Sequence, residues 1–145
     1  MIERVFNKEI ANSCDELLTK LIQDERQYDK SIDKDFIVNN YFKNIVKNEE
    51  NILLCYKQEN KVVGYIFLKP ICNDTQKGYL IDGLYVDKQY RHNGIGKLLV
   101  KEAIQLVNKK CDFIDINVLY ANKIAFEFYK SFGFDEFKIN MRINF

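Results

Sequence analysis

Apolar residues recur along this chain at two spacings, and the change from one to the other lays out its elements. Ile2–Phe6 predicts a short strand. From Lys8 to Gln23, Ile10, Leu17, Leu18, Leu21 and Ile22 fall at helical spacing. The polar stretch from Asp24 to Asp35 reads as a loop or broken helix. Asp35–Val46 predicts a second helix, with Phe36, Ile37, Tyr41, Phe42 and Ile45 on one side. Two apolar runs around Gln58-Glu59-Asn60-Lys61 predict a hairpin, with Pro70 placed where a strand end or edge tolerates it. A turn at residues 73–78 leads into a strand over Tyr79–Val86. Gly94–Asn108 gives the clearest helix, with a stripe of Ile95, Leu98, Leu99, Ala103, Leu106 and Val107. Cys111–Leu119 predicts a strand. From Asn122 a helix carries Ala125, Phe128, Tyr129 and Phe132 and stops at Gly133, a natural left-handed C′ residue. Asp135–Phe145 closes the chain as a strand. Hairpin-linked strands followed by helix-crossed strands imply a single α/β domain over 1–145, a mixed sheet with helices on both faces.

Composition narrows the class. With 145 residues, 47% hydrophobic and 30% charged, the chain can bury a core without staples. A net charge of +1 argues against nucleic acid as partner. No apolar run approaches a membrane span, and the start is charged at once, without the apolar segment of a secretory signal. Cys14, Cys55, Cys72 and Cys111 form no close pair and His92 is the sole histidine, so no metal site is expected and the cysteines read as reduced. These features fit a cytoplasmic protein. The Lys-, Ile- and Asn-rich, Arg-poor composition points to an AT-rich bacterial genome.

The candidate chemistry begins where Tyr79–Val86 breaks into "DKQYRHNGIGKLL". A Walker A loop fails, because Arg91 stands where its first glycine belongs and Leu98 replaces its hydroxyl residue. A dinucleotide fingerprint fails at Leu99, where a third glycine belongs. What fits is a short pyrophosphate clamp. Residues Arg91, His92, Asn93, Gly94, Ile95, Gly96 and Lys97 wrap a helix N-terminus whose first amides lack partners, and glycine lets an anion approach the backbone. A plain turn before a helix is the competing reading.

A second segment decides between them. "YVDKQYRHNGIGKLLVKEAI" resembles the acetyl-CoA-binding motif of the GNAT superfamily of N-acetyltransferases, Arg/Gln-x-x-Gly-x-Gly/Ala. "NVLYANKIAFEFYKSFGF" resembles that family's Asn-x-x-Ala-x-x-x-Tyr-x-x-x-Gly-Phe segment, here Asn122, Ala125, Tyr129, Gly133 and Phe134. The match is strong from about Leu80 to Phe134, whereas the first 75 residues match in element order only. The resemblance implies a three-layer fold with a mostly antiparallel sheet. A parallel strand pair, Tyr79–Val86 and Phe113–Val118, would splay around the pantetheine arm of acetyl-CoA. Backbone groups of Leu84, Tyr85 and Val86 would pair with that arm, Arg91–Lys97 would hold the diphosphate, and Asn122 would cap its helix and touch the cosubstrate. The acceptor would be a primary amine of a small molecule or peptide, acetylated by direct attack. The protein would be a monomer or a homodimer. A CoA-binding regulatory module without turnover is the alternative.

Acetyl transfer to an amine needs a neutral nucleophile, a stabilised oxyanion and an accommodated thiolate. A backbone N–H near Leu84 suits the second task. Tyr129 is the candidate for the third, although a phenol near pKa ~10 is a weaker acid than a thiol near ~8.5, so hydrogen bonding to sulfur is the larger part of that role. Asp82 is the candidate general base, directly or through water. It would share a face with Leu84 if the strand were regular, and burial would have to raise it. A base matters most for a lysine-like amine, neutral in only about one molecule in ~2,500 at pH 7. Asp24, Glu25, Tyr28 and Asp29 would attract a cationic amine, unless they are simply a solvated face.

Overall fold

A computed structural model describes residues 1–145. Five strands lie in chain order across one sheet, β1 (Ile2–Arg4), β2 (Ile52–Gln58), β3 (Lys61–Cys72), β4 (Lys77–Val86) and β5 (Phe113–Ile116). All neighbouring pairs are antiparallel except β4 and β5, which are parallel. The β2–β3 turn is two residues long, and both Glu59 and Asn60 have positive φ (51° and 64°). That is the type I′ geometry whose twist matches a tight hairpin.

The central strands are apolar on both faces because both are covered. On one face, Leu53, Cys55, Tyr65, Phe67 and Tyr85 pack with Ala11, Cys14 and Leu17 of helix α1 (Lys8–Glu25) and with Phe42 of α2 (Phe42–Ile45). On the other, Ile52, Leu54, Ile66, Leu68 and Ile81 pack with α3 (Ile95–Val107) and with Tyr129 of α4 (Lys123–Lys130). Alternate side chains of β2 and β3 thus feed two separate cores. The buried stripe of α3 is Ile95, Leu99, Val100, Ala103 and Val107. The expected Leu98 is exposed instead, and Val100 takes a place in the core.

Helix termini follow their caps. Asn7 opens α1 by accepting from the Glu9 and Ile10 amides (2.7 and 3.4 Å). At the end of α4 the Phe134 N–H reaches Tyr129 O and the Gly133 N–H reaches Lys130 O. These two bonds form a Schellman motif with Gly133 (φ +95°) at C′, as its sequence position predicts.

Two expected elements are corrected. The helix predicted over Asp35–Val46 shrinks to Phe42–Ile45. Side chains of α1 take up the backbone groups that a longer helix would need for itself. Thr19 Oγ1 accepts from Val38 N (3.0 Å), Gln23 Nε2 donates to Phe36 O (2.9 Å), and the buried Asp15 carboxylate accepts from the Tyr41 and Phe42 amides (3.3 and 3.0 Å). Asn40, at φ +57°, breaks the run just before. The strand predicted over residues 135–145 is also not formed, since these residues lie outside any element and their side chains are exposed. Alternation prepares a strand, but a strand's hydrogen bonds belong to a neighbour, and this segment has none within the chain.

Lys20 of α1 ties that helix to the end of β4 through a 2.9 Å ion pair with the nearly buried Asp87. The Lys20 hydrogen bond holds the Asp87 carboxyl below its ordinary value, against the opposing effect of burial. A carboxyl depressed in the folded state binds protons more readily when unfolded, so its stabilising effect is complete above the ordinary carboxylate value and fades as pH falls through the folded one. Asp87→Asn should therefore lower the denaturation midpoint at pH 7, and the gap to the parent should close on acidification below about pH 4. A gap independent of pH would show that the ion pair is not its source.

Candidate functional site

The site grows from the place where β4 loses one of its neighbours. β4 pairs with β3 as far as Val86, opposite Gly64, but with β5 only from Gly78 to Ile81. Beyond Ile81 the β5-facing edge of β4 has no strand partner, and Leu84, Tyr85 and Val86 lie on that open stretch. A bulge sits at the same point. Leu68 opposes Ile81 and Phe67 opposes Gly83, so Asp82 is the extra residue.

The open edge leads directly to an amide-rich loop. After β4, a short 3-10 turn (Lys88–Tyr90) delivers the chain to His92 (φ +65°) and Gly94 (φ +78°), and α3 begins at Ile95. No backbone N–H from His92 through Lys97 finds an acceptor in the protein. Asn93 braces the loop by donating to Tyr90 O (3.2 Å). Six consecutive free amides at the positive end of a helix form a ready anion seat. A Cβ on Gly94 would meet nothing within 4 Å, so the requirement for glycine there is its left-handed backbone. A Cβ on Gly96 would touch only the Phe128 ring and Val86, at 3.6 Å or more.

Tyr129 reaches this region from α4. Its ring is buried in the core that also holds Ile95, with Leu84 and Val86 packed alongside. Phe128 and Phe134 hold it edge-on at 5.1 and 5.7 Å. Burial alone pushes its phenol well above the ordinary value. Asn122 caps α4, its Oδ1 accepting from Ala125 N (3.1 Å). The structure thus brings together the β4 edge, the loop and Tyr129.

Arg91 is partly committed elsewhere. Its Nε donates to Val86 O (2.8 Å), its guanidinium lies 4.9 Å from the centre of the Tyr85 ring, and one terminal nitrogen reaches Asp24 (3.5 Å). Lys97 is exposed. Asp24, at the end of α1, is a hub that also meets Lys88 (3.4 Å) and accepts from the Tyr85 hydroxyl (3.3 Å). Desolvation first, and then Asp24, push the Tyr85 phenol up to about 12. Asp24, Tyr85, Lys20 and Gln23 line a shallow hollow of about 320 Å³. A larger hollow of about 650 Å³ lies beside the first half of α1 and holds none of the loop residues or Tyr129.

Asp82 does not share a face with Leu84, because the bulge breaks the alternation. Leu84 packs on the α3–α4 side, whereas the charge of Asp82 is felt by Tyr41, whose ring packs on Phe42 and Phe67 of the α1–α2 side. Asp82 is exposed and forms a 3.6 Å ion pair with Lys69. Two groups on this side escaped sequence reasoning in the roles they can fill. Glu25 is half-buried, and burial followed by the charge of Asp29 raises its carboxyl above the ordinary value. The Tyr65 hydroxyl is buried without a protein partner, against Gly83, where a Cβ would come within 2.6 Å of it. No spacing rule marks a mid-strand tyrosine as polar-facing. Only the glycine opposite hints at it.

Known proteins share this fold. The model of the acetyltransferase (GNAT) family matches residues 15–134, and the chain belongs to that family. Among individual proteins, it is similar to an uncharacterised N-acetyltransferase of Methanocaldococcus jannaschii, 31% identical over 102 residues (66% of this chain, 44% of that protein). It is also similar to human N-alpha-acetyltransferase 30, 43% identical over 60 residues (41% of this chain, 16% of that protein). The chain thus spans less than half the length of these curated relatives. Its fold matches a crystal structure of the BH1408 protein of Bacillus halodurans, with a TM-score of 0.86 and 22% identity over 100% of this chain and 99% of that one. No helix is long and apolar enough to cross a membrane.

Gly94→Val should weaken CoA binding at least ~10-fold, because a β-branched residue resists φ +78° and will turn the loop amides away. Isothermal titration with CoA measures this directly. Unchanged affinity with an unchanged fold would remove the loop from the cosubstrate site.

Proposed function

We propose that this protein is an acetyl-CoA-dependent N-acetyltransferase that acts on a primary amine of a small molecule or peptide. The observation that carries the proposal is the run of free amides from His92 to Lys97, continuous with the unpartnered edge of β4 and adjacent to the buried Tyr129. Each feature fits a different part of one ligand. The diphosphate would sit on the amides, the amide-bearing arm would lie along Leu84–Val86 as an added strand, and the thioester would end near Tyr129. Bound acetyl-CoA supplies an activated acyl group.

The chain's own residues do the rest. The backbone at Leu84 offers an N–H to the carbonyl oxygen, and it is held still by the β3 ladder. Tyr129, whose burial keeps its proton in place, hydrogen-bonds the sulfur. The burial that a base at position 82 requires is absent, and Asp82 would act through water or attract the cationic amine. Glu25 has the raised affinity for protons that a base needs, and it ends α1, the helix on the side where the charge of Asp82 reaches Tyr41. We assign it as the second candidate. The amine would enter between the end of α1 and the bulge, past the Glu25 carboxyl and the Asp24 and Asp82 carboxylates that Lys88, Arg91 and Lys69 hold.

A panel of amino-terminal peptides, lysine peptides and polyamines, incubated with acetyl-CoA while free thiol is followed, tests the activity. Thiol release with one class identifies the acceptor. CoA binding with no release from any of them would favour a regulatory CoA-binding module. Tyr129→Phe should lower kcat on the order of 10²-fold while leaving CoA affinity near that of the parent. Equal turnover would remove Tyr129 from the chemistry.

A further inference from the structure

One polar group in the core lacks a partner. Tyr65 of β3 is fully buried, and its hydroxyl meets no donor or acceptor in the protein. Its ring is fixed, with Phe42 packed edge-on against it at 5.4 Å among the side chains that α1 and α2 cover. Tyr65 pairs with Tyr85 across the β3–β4 ladder, and its hydroxyl leans along β4 to Gly83. A Cβ at position 83 would come within 2.6 Å of that oxygen, so the glycine makes room for it. A buried hydroxyl without a partner is costly, and phenylalanine would fill the same space without that cost. Such groups are few in folded proteins, and a partner that arrives with the reaction is one reason for keeping them.

The place of this hydroxyl supplies the reason. Gly83 lies between the bulge residue Asp82 and Leu84, whose N–H is offered to the acetyl oxygen. Burial, and then the charges of Cys14, Glu25, Asp82 and Tyr129, push the Tyr65 phenol well above its ordinary value. Both candidate bases and the candidate partner of the sulfur thus act on this one hydroxyl. It keeps its proton at neutral pH, so it can donate one hydrogen bond and accept others without changing charge. The thiols around it are equally inert. Burial raises Cys14 of α1, and it raises Cys55, which pairs with Tyr65 from β2.

We propose that Tyr65 is a positioning residue for acetyl transfer, its hydroxyl fixing beside Gly83 the water through which the acceptor ammonium loses a proton to Glu25, a role that stands only if this protein is an N-acetyltransferase. The ammonium nitrogen gives one proton to the water and keeps the electron pair. The water passes one of its own protons to the Glu25 carboxylate. The neutral nitrogen then attacks the acetyl carbon. As the N–C bond forms, the C–S bond breaks and its electrons leave on sulfur, and the nitrogen sheds a second proton to that thiolate. Glu25 ends this path because it is half-buried with a raised carboxyl, whereas Asp82 is exposed and ion-paired with Lys69.

Tyr65→Phe in the full chain, assayed with an amine that the parent acetylates, tests this. The variant should keep the parent's CoA affinity and a denaturation midpoint at or above the parent's, yet lose at least ~10-fold in kcat. A packing role would move stability and turnover together, and only a role in the reaction separates them. Glu25→Gln should cause a loss of the same order. The double variant should be no slower than the slower single one, because both residues serve one path. Parent-like turnover by Tyr65→Phe overturns the proposal. So does a lowered midpoint that accompanies the loss, or a double variant whose losses multiply. A parent that binds CoA and acetylates no amine overturns N-acetyltransfer itself, whereas an active parent with an unaffected Tyr65→Phe removes only the relay.

Discussion

β4 is hydrogen-bonded to β3 along its length but to β5 only as far as Ile81. A strand held on one side and released on the other keeps its backbone geometry while offering unpaired edge groups to a ligand. The rest of the site depends on that parting. The free edge aims at the helix mouth of α3, where backbone amides from His92 to Lys97 remain undonated. Tyr129 sits against the same stretch because α4 packs onto the core that Leu84 and Val86 border. The bulge at Asp82 belongs to the same event, since the extra residue bends the strand where its partner departs.

Two cores make the parting tolerable. α1 and α2 cover one face and α3 and α4 the other, so β4 is supported above and below where it lacks a neighbour beside it. The α1 side also carries the electrostatics. Asp24 gathers Lys88, Arg91 and the Tyr85 hydroxyl, and Lys20 reaches Asp87, so the end of α1 is fastened to both ends of the turn that follows β4. That link places the carboxylates of α1 beside the loop expected to hold the cosubstrate. Residues far apart in sequence thereby meet at one end of the sheet.

The elements were legible where local pattern and tertiary role agree. The α3 and α4 helices, the hairpin and β4 all carry their periodicity and punctuation in the chain. Gly133 closes α4 with the bonds its position implies. The pattern failed where another segment competed for the backbone. Asp15, Thr19 and Gln23 take the amides and carbonyls of residues 33–42, and a predicted helix becomes one turn. It failed again in residues 135–145, where alternation describes a side-chain face but cannot supply a partner strand.

By itself the sequence determined the order of the elements from β1 to α4, the glycines and the helix start that follow β4, and the glycine that closes α4. These are local properties, set by φ preferences, caps and side-chain periodicity. Only the tertiary structure decided which groups meet. It put Asp82 on the face opposite Leu84, turned Arg91 toward Asp24, half-buried Glu25 and enclosed the Tyr65 hydroxyl against Gly83. Facing and burial depend on strand register and on what the other elements cover. A single bulge reverses the first, and packing from distant segments sets the second.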